Sequence, residues 1–234
     1  MRAVAIITAR GGSKRIPRKN LRPFLGKPII AYSIAVALES ELFDEVMIST
    51  DDAEIAEVSQ RLGAKVPFMR SAKTSDDYAT TADVLQEVVS EYSARGATMD
   101  FACCIYPTAP FVTADKLRRA FALLQESRAD AVLPIARFSF PIWRSFRKEG
   151  DRVFYNWPEF APRRSQDLPP AFQDTGQFYF FRPAVLQATG RLITDNTIGF
   201  EVPETEMQDL DTEEDWVLAE LKYSFAHRNA DSAR

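Results

Sequence analysis

The sequence has few of the residues that build disulfide frameworks, metal clusters or membrane spans. Its 234 residues include two cysteines and one histidine. On a strand the adjacent Cys103 and Cys104 would point to opposite faces, so a disulfide framework is excluded and a cysteine-based metal site is not expected. No apolar run approaches the roughly 20 residues that span a bilayer. The uncharged stretch between Arg2 and Arg10 is too short for a signal-peptide core, so we expect a cytoplasmic protein without a membrane partner.

The chain also lacks an excess of positive charge. It has 29 lysines and arginines against 33 acidic residues, for a net charge of −4. Such a chain has no global field that attracts nucleic acid, so nucleic acid is not expected as a partner and any anion site must be local. The length suits one sizeable α/β domain, with or without an appendage.

Short β-branched runs alternate with helical patterns over most of the chain. This alternation predicts βαβ units in an α/β fold with a Rossmann-like, mostly parallel sheet and helices on both faces. The predicted strands are residues 4–8, 45–50, 66–69, 101–106, 131–136 and 177–181. The predicted helices are residues 28–39, 52–62, 81–92, 114–125, 213–225 and a short helix from Pro183. The core then comprises residues 1–136 and 174–226, and the polar tail 227–234 is expected to fray.

Residues 137–173 interrupt this alternation. The segment holds five prolines and many aromatic residues. The prolines forbid a long helix, yet so much aromatic surface is not expected to remain in water. Two interpretations stay open: a hairpin folded over its own domain, or an arm that packs on a second subunit.

A basic loop follows the first predicted strand. Residues 10–20 read RGGSKRIPRKN and contain five cations. Gly11 and Gly12 would let the backbone turn tightly, so that amide groups face an anion. Loops that leave the carboxyl ends of parallel strands bind ligands, so the sequence predicts a polyphosphate cradle here.

The spacing of this basic loop excludes two common phosphate motifs. It matches neither the Walker A pattern nor the G-x-G-x-x-G dinucleotide fingerprint. The alternative to a phosphate site is a solvated basic loop.

A pair of acids lies near the carboxyl end. On an extended segment Asp209 and Asp211 would point to one face, about 7 Å apart, while Leu210 points into the core. Two such carboxylates suit Mg²⁺, which usually takes one or two carboxylates together with phosphate oxygens and water. The last helix is predicted to be capped by Asp211 or Thr212, so the alternative is that Asp211 is merely that cap. Asp51 and Asp52, by contrast, are predicted to be the cap and first-turn acids of the second helix.

Three segments resemble motifs of the acylneuraminate cytidylyltransferases, the enzymes that activate sialic acid and other nonulosonic acids. The segment ITARGGSKRIPRKNL resembles the family's N-terminal signature, and DLDTEEDW resembles its closing motif. Arg70 with residues 77–81 resembles an internal nucleotide-binding stretch, although Ser71 and Tyr78 depart from the usual pattern. The motifs run in the family's order from residue 3 to residue 216.

Two further segments are most like the pseudaminic acid cytidylyltransferases within that family. They are IYPTAPF and RRSQDLPPAFQDTGQFYF, and the second alone could be a turn-rich connection back to the core. Tyr106 to Pro110 stands where the sialic acid enzymes usually have Gln-Pro-Thr-Ser-Pro. Residues 175–177 read Thr-Gly-Gln where those enzymes often have Asn-Gly-Ala. These departures point away from sialic acid as the substrate.

The resemblance implies a fold of the nucleotide-diphospho-sugar transferase type and a definite reaction. The anomeric hydroxyl of an acidic nine-carbon sugar attacks the α-phosphate of CTP, and pyrophosphate leaves in line. It also implies Mg²⁺ as cofactor and a homodimer with an exchanged arm at residues 137–173.

The resemblance further implies roles for individual residues. Arg10, Lys14 and Lys19 would neutralise the triphosphate, and Asp209 and Asp211 would hold the metal. The implied nucleotide contacts are Ala9, Arg10, Gly11, Gly12, Ser13, Lys14, Lys19, Asn20, Arg70, Asp77, Thr80 and Thr81. The implied sugar contacts are Tyr106, Thr108, Arg164, Gln173, Asp174, Gln177, Phe178 and Tyr179. Arg164 would face the substrate carboxylate, as a residue donated by the partner subunit.

The sequence leaves other functions open. N-acetylneuraminic, legionaminic or 3-deoxy-octulosonic acid could replace pseudaminic acid as the sugar. Asp209-x-Asp211 also fits the D-x-D metal site of a glycosyltransferase, although that site normally follows a mid-chain strand. A catalytically inactive nucleotide-binding module is the third possibility.

Overall fold

Strands and helices alternate along the chain in the computed structural model, which describes residues 2–232 and the side chains of residues 2–227. The strands are β1 (Ala3–Thr8), β2 (Pro23–Phe24), β3 (Lys27–Pro28), β4 (Glu45–Ser49), β5 (Phe101–Ile105), β6 (Ala131–Arg137), β7 (Phe146–Glu149), β8 (Arg152–Tyr155), β9 (Phe172–Asp174), β10 (Phe178–Phe181) and β11 (Thr197–Glu201). The helices are α1 (Ile30–Glu39), α2 (Ala53–Arg61), α3 (Thr81–Ala94), α4 (Ala114–Glu126), α5 (Pro183–Thr189) and α6 (Glu213–Ser232). None of these helices is long and apolar enough to cross a membrane.

The central sheet is mixed, because antiparallel strands interrupt the predicted parallel arrangement. Its strand order is β11-β6-β10-β5-β1-β4, and β9 also pairs with β6. The ladders β1–β4, β1–β5 and β6–β11 are parallel, whereas β10 is antiparallel to both of its neighbours. Five strands therefore share one direction, and β10 is inserted between β5 and β6 against it. Sequence pattern alone cannot reveal this reversal, because β10 is buried on both faces like its parallel neighbours.

A proline explains why β9 and β10 are separate strands. Both pair with β6, and the gap between them lies opposite Pro134. Pro134 has no N–H to donate to a neighbouring strand. Its carbonyl accepts a hydrogen bond from the hydroxyl of Thr175 at 3.1 Å. Gly176 has a φ of +61°, which breaks the extended backbone. This break places residues 175–177 at the carboxyl edge of the parallel strands, where the basic loop of residues 10–20 also lies.

Helices cover both faces of the sheet, as the alternation predicts. One face packs against apolar residues of α1 and α4, and the other packs against residues of α3 and α5. Cys103 and Cys104 are buried in the clusters on opposite faces, and both are free thiols, as the sequence predicts. Burial raises the pKa of the Cys104 thiol to about 12, so it is a core side chain rather than a nucleophile.

A third apolar cluster joins the two ends of the chain. Ile16 of the basic loop packs in it with Phe24, Leu210 and Trp216, and all four are at most 2% exposed. The rings of Phe24 and Trp216 meet edge-on at 5.8 Å, and the Arg22 guanidinium lies 4.5 Å from the centre of the Trp216 ring. This cluster fixes the start of α6 against the loop that follows β1.

Several predicted boundaries differ from the structure. Residues 66–69 form no strand, because only an isolated bridge between Met47 and Lys65 is present there. Pro28 lies in the short strand β3 rather than in the first turn of α1, and β11 was not predicted. α6 continues to Ser232, so most of the tail expected to fray is helical, and residues 233–234 lie outside the described chain.

The arm at residues 137–173 contains a hairpin that leaves apolar side chains in solvent. β7 and β8 pair through Phe146↔Tyr155 and Lys148↔Val153, with Gly150 in the turn at a φ of +61°. Phe146 is 53% and Val153 60% exposed, so the interpretation of a hairpin folded over its own domain does not hold for these residues. At the base of the arm Trp143 packs on Trp157 and Phe160.

Candidate active site

The candidate site lies at the edge of the sheet where β1, β4 and β5 end. These three strands are parallel neighbours, so the loops after Thr8, Ser49 and Ile105 emerge side by side. A cavity of about 190 Å³ opens there. Its lining residues are Thr8, Arg10, Ser13, Lys14, Arg15, Ile16, Lys19, Asn20, Pro107 and Thr108. Six of the predicted site residues thus surround one space.

A larger cavity lies elsewhere and contains none of the predicted residues. It has a volume of about 620 Å³ and lies between α1, α4 and α6. Its size alone does not make it the site, because the clustered cations line the smaller cavity at the carboxyl edge of the sheet.

The structure brings the basic loop and the carboxyl-terminal acids together. Arg15 Nη1 lies 2.6 Å from Asp211 Oδ2, and Lys19 Nζ lies 3.9 Å from Asp211 Oδ1. Lys19 Nζ also donates to the carbonyl of Leu210 at 2.7 Å. The apolar cluster explains this approach, because Ile16 and Leu210 are interleaved with the charges and are buried together. No individual role was predicted for Arg15 from the sequence. The one feature that could have indicated its contact with the acids is its position next to Ile16, which is buried with Leu210.

Lys19 is the most buried cation of the loop, with 22% of its side chain exposed. Burial lowers its pKa, and the charges of Asp211 and Asp209 partly offset that effect. A partly desolvated ammonium interacts more strongly with a phosphate than an exposed one does, because less water screens the charge. Lys19 is therefore well placed for an electrostatic role.

The cap of α6 leaves Asp211 available. The hydroxyl of Thr212 accepts the amide of Asp215, and the Asp215 carboxylate accepts the amide and the hydroxyl of Thr212 at 2.8 Å each. Thr212 and Asp215 thus form a reciprocal cap, and the alternative in which Asp211 is only a cap is wrong. The Asp211 side chain faces cations instead, while the exposed Asp209 accepts a hydrogen bond from the backbone amide of Leu210 through Oδ1 at 2.9 Å.

Asp52 has the capping role predicted for it. Its Oδ1 accepts the amides of Glu54 and Ile55 at 2.9 and 3.0 Å. Asp51 has a different role: its Oδ1 accepts the amide of Gly11 at 2.9 Å. A Cβ on Gly11 would lie 2.7 Å from Asp52 Oδ2, so glycine is required there by close approach.

The predicted cradle of backbone amides is only partly present. The amide of Gly11 is taken by Asp51, and the amide of Ser13 donates to the carbonyl of Gly11. Neither Gly11 nor Gly12 has a positive φ. Ala9 is fully buried and its amide pairs with Ser49, so its side chain does not reach a ligand. Charged side chains, rather than these backbone amides, give the cavity its positive charge.

Three other predicted nucleotide contacts form hydrogen bonds with other residues of the chain. Asn20 donates its side-chain amide to the carbonyl of Arg10 at 2.9 Å. Arg70 is 7% exposed and donates to the Ser49 hydroxyl and carbonyl, and burial lowers its pKa. Thr80 caps α3 in a reciprocal pair with Asp83. These side chains shape the loops around the cavity.

Asp77 lies against two cations of the basic loop. Arg10 Nη1 donates to Asp77 Oδ1 at 2.8 Å, and Lys14 donates to Asp77 Oδ2. The pair of ionic hydrogen bonds from Lys14 and Arg10 lowers the pKa of Asp77, which favours its charged form. As an anion Asp77 does not attract phosphate, and the direct contact predicted between Asp77 and the nucleotide stays a prediction.

Four of the predicted sugar and nucleotide residues form a second group beside the cavity. The Tyr106 hydroxyl is 2.7 Å from the Thr81 hydroxyl, and the Tyr179 hydroxyl donates to Asp174 at 2.6 Å. The rings of Tyr106 and Tyr179 are 5.6 Å apart. Burial raises the pKa of both tyrosines, so both remain hydrogen-bond donors at neutral pH. Tyr106 is followed by Pro107 and Thr108, which line the cavity, so this tyrosine cluster lies beside it.

The remaining predicted sugar contacts lie in other surroundings. Phe178 is fully buried in the core, so the prediction that it contacts the sugar is wrong for this conformation. Gln177 donates to the carbonyl of Glu206 at 2.7 Å, and its buried Oε1 has no hydrogen-bond partner. Gln173 contacts the sulfur of Met207, and exposed Arg164 pairs with Asp167 at 2.8 Å.

Comparison with known proteins identifies the family. Residues 4–187 match the model of the cytidylyltransferase family. The chain belongs to this family. It is 38% identical over 98% of its length to the whole of a pseudaminic acid cytidylyltransferase from Campylobacter jejuni. It is also 32% identical to a CMP-N,N'-diacetyllegionaminic acid synthase from Legionella pneumophila, over 94% of this chain and 95% of that protein.

A solved structure shares the family's fold. A CMP:2-keto-3-deoxy-manno-octonic acid synthetase, determined as a complex with CTP, superposes with a TM-score of 0.70. The match covers 97% of this chain and 100% of the other, at 21% identity. This structure confirms the predicted α/β fold. The family match and the curated relatives confirm the assignment to a cytidylyltransferase family, and the enzyme is a nucleotidyltransferase.

Proposed function

We propose that this cytidylyltransferase transfers CMP from CTP to pseudaminic acid and releases pyrophosphate. The observation that carries the proposal is the meeting of the basic loop with the acids near the carboxyl end, through Arg15, Lys19 and Asp211. A triphosphate needs several cations, and its metal needs carboxylates, so both must lie within a few ångströms of the same phosphates. The relatives from Campylobacter jejuni and Legionella pneumophila support an acidic nine-carbon sugar as acceptor.

The cations of the loop would bind the triphosphate and stabilise the departing pyrophosphate. Arg10, Lys14 and Lys19 line the cavity, and fixed positive charge around the leaving group accounts for much of the catalysis in such transfers. Arg15 joins this set, because it lies between the cavity and Asp211.

Asp209 and Asp211 would hold a magnesium ion. Their donor chemistry fits, since both supply hard oxygen atoms on either side of buried Leu210. Within residues 2–227 no group of three acidic, histidine or cysteine side chains is arranged to hold a metal alone, which suits an ion completed by phosphate oxygens and water. Bound there, Mg²⁺ would neutralise phosphate charge.

The tyrosine cluster is the proposed site of the sugar. Tyr106, Thr81 and Tyr179 offer hydroxyl groups beside the phosphate cavity, and Asp174 offers a carboxylate. A site built to hydrogen-bond particular groups rejects sugars that lack them. The sole histidine, His227, bonds to the carbonyl of Tyr223 on α6, and it has no part in this site.

The experiment that tests this proposal is a panel of sugars with CTP. Pseudaminic, N-acetylneuraminic, N,N'-diacetyllegionaminic and 3-deoxy-octulosonic acids are each assayed for pyrophosphate release, with Mg²⁺ and with a chelator. We expect kcat/KM for pseudaminic acid to exceed that for the others by about 10-fold or more, and the chelator to abolish turnover. Turnover of another sugar without turnover of pseudaminic acid would reject the substrate. Release of a nucleoside diphosphate from a nucleotide sugar would favour a glycosyltransferase.

We also propose that the arm pairs two copies of the chain. Phe146 and Val153 lie on one face of the β7–β8 hairpin and are largely exposed. Apolar side chains on an exposed hairpin are typical of an interface. A second copy would cover them and could place Arg164 near the partner's sugar site.

Sedimentation velocity tests the proposed pairing. The wild-type chain is expected to sediment as a dimer, and Phe146→Ser combined with Val153→Ser as a monomer. Leu221→Ser is the matched control, because Leu221 is equally exposed, at 59%, on α6. A wild-type monomer, or a dimer that persists in the double variant, contradicts the proposal.

A further inference from the structure

Asp77 forms ion pairs with two of the cations that a triphosphate would need. It pairs at once with Arg10 and Lys14, and Arg10 also donates to the carbonyl of Asp76 at 2.9 Å. Both cations line the phosphate cavity. The carboxylate bridges an arginine and a lysine, with one oxygen atom toward each cation, as two oxygen atoms of a phosphate group could.

The loop that carries Asp77 is fixed at both ends. Thr74 is buried and donates to Glu87 at 2.6 Å, and Thr80 caps α3. Between them Asp76 Oδ1 accepts the amides of Tyr78 and Ala79 at 2.9 and 2.8 Å. The backbone around Asp77 is thus held in place. Arg10 and Lys14, by contrast, have long side chains whose charged ends can turn from one anion to another.

We propose that Asp77 is a competing internal anion that positions Arg10 and Lys14 and weakens their hold on pyrophosphate. A phosphate group that approaches these cations must share them with the carboxylate or take them from it. Asp77 also lies close enough to repel the incoming negative charge. The effect is to keep the cations aligned while limiting the affinity for the pyrophosphate product, which favours its release. The identity of the polyanion rests on the proposed function.

Binding of inorganic pyrophosphate, measured by titration calorimetry on the full chain, tests the role of Asp77. Asp77→Asn removes the charge and keeps the size of the side chain, and we expect it to bind pyrophosphate about 3- to 10-fold more tightly than the wild type. Asp77→Ser, as a second variant, should show a gain in the same range. A gain in affinity is informative, because a merely damaged site would lose affinity.

The matched control is Asp76→Asn, one residue away. It makes the same change in charge, but the Asp76 side chain faces backbone amides of its own loop, and asparagine can accept the same hydrogen bonds. We expect the Asp76→Asn variant to bind pyrophosphate within about twofold of the wild type. An equal gain in Asp76→Asn, or unchanged or weaker binding in both Asp77 variants, overturns the proposal. If neither the wild type nor the Asp77 variants bind pyrophosphate, the role of Asp77 fails, while the sugar panel with CTP decides the proposed function separately.

Discussion

Replacing Asp211 by asparagine is expected to lower kcat/KM for CTP by about 100-fold or more. Asp211 is the point where the two halves of the candidate site meet, because it contacts Arg15 and Lys19 and is a proposed ligand of the metal. Loss of one fixed electrostatic group of this kind typically costs on the order of 100-fold in rate. Asparagine keeps the shape of the side chain but leaves Arg15 without its partner. Initial rates of pyrophosphate release at varied CTP concentration measure the effect.

Glu213→Gln is the control for this substitution. Glu213 lies two residues away at the start of α6, is exposed, and pairs with Arg22 at 2.6 Å rather than with the cations that line the cavity. Its replacement should change kcat/KM by less than about twofold, because an exposed ion pair contributes little. If Asp211→Asn retains a rate near that of the wild type, Asp211 is not part of the catalytic site. Thermal unfolding of both variants separates loss of chemistry from loss of fold.

Phe178→Ala is expected to lower the free energy of unfolding by about 3–5 kcal/mol. Phe178 is fully buried at the start of β10 and meets Phe180 edge-on at 5.9 Å. Truncation removes a large apolar side chain and leaves a cavity in a sheet that is covered on both faces. Urea unfolding followed by tryptophan fluorescence measures the change.

Two further variants distinguish a core role of Phe178 from a substrate role. Phe140→Ala should alter the free energy of unfolding by no more than about 0.5 kcal/mol, because Phe140 is 85% exposed. Phe178→Leu keeps most of the buried volume and should leave the KM for the sugar unchanged. If Phe178→Leu raises the KM for the sugar while stability is retained, the result would support the sugar contact that the sequence resemblance implies.

Local sequence patterns predicted most of the elements that support the site. The buried run in β1, the loop with its five cations and the acids around Leu210 are each visible within a few residues. The position of a loop after a parallel strand then places the cations at the ligand-binding edge. These features are predictable because periodicity and charge act over short stretches of chain.

The departures come from contacts between distant segments. Nothing near β10 in the sequence shows that it runs antiparallel between β5 and β6, since that depends on tertiary pairing. Asp77 was assigned to the nucleotide from its motif, yet its partners are two cations more than 60 residues away. Arg70 and Asn20 were likewise predicted to contact the nucleotide because they lie in segments that resemble the family's motifs. The structure shows them buried and hydrogen-bonded within the protein.

The central claim is that the basic loop and the acids near the carboxyl end form one site for a triphosphate and its metal. Calorimetric titration of CTP in the presence and absence of Mg²⁺ tests it most directly. Wild-type protein should bind CTP more tightly with Mg²⁺, and Lys19→Ala should weaken binding in both conditions. The combined variant Asp209→Asn and Asp211→Asn should lose the increment that Mg²⁺ provides, and it should bind metal-free CTP no more weakly than the wild type. A full magnesium increment in that variant, or unchanged CTP binding in Lys19→Ala, would contradict the account.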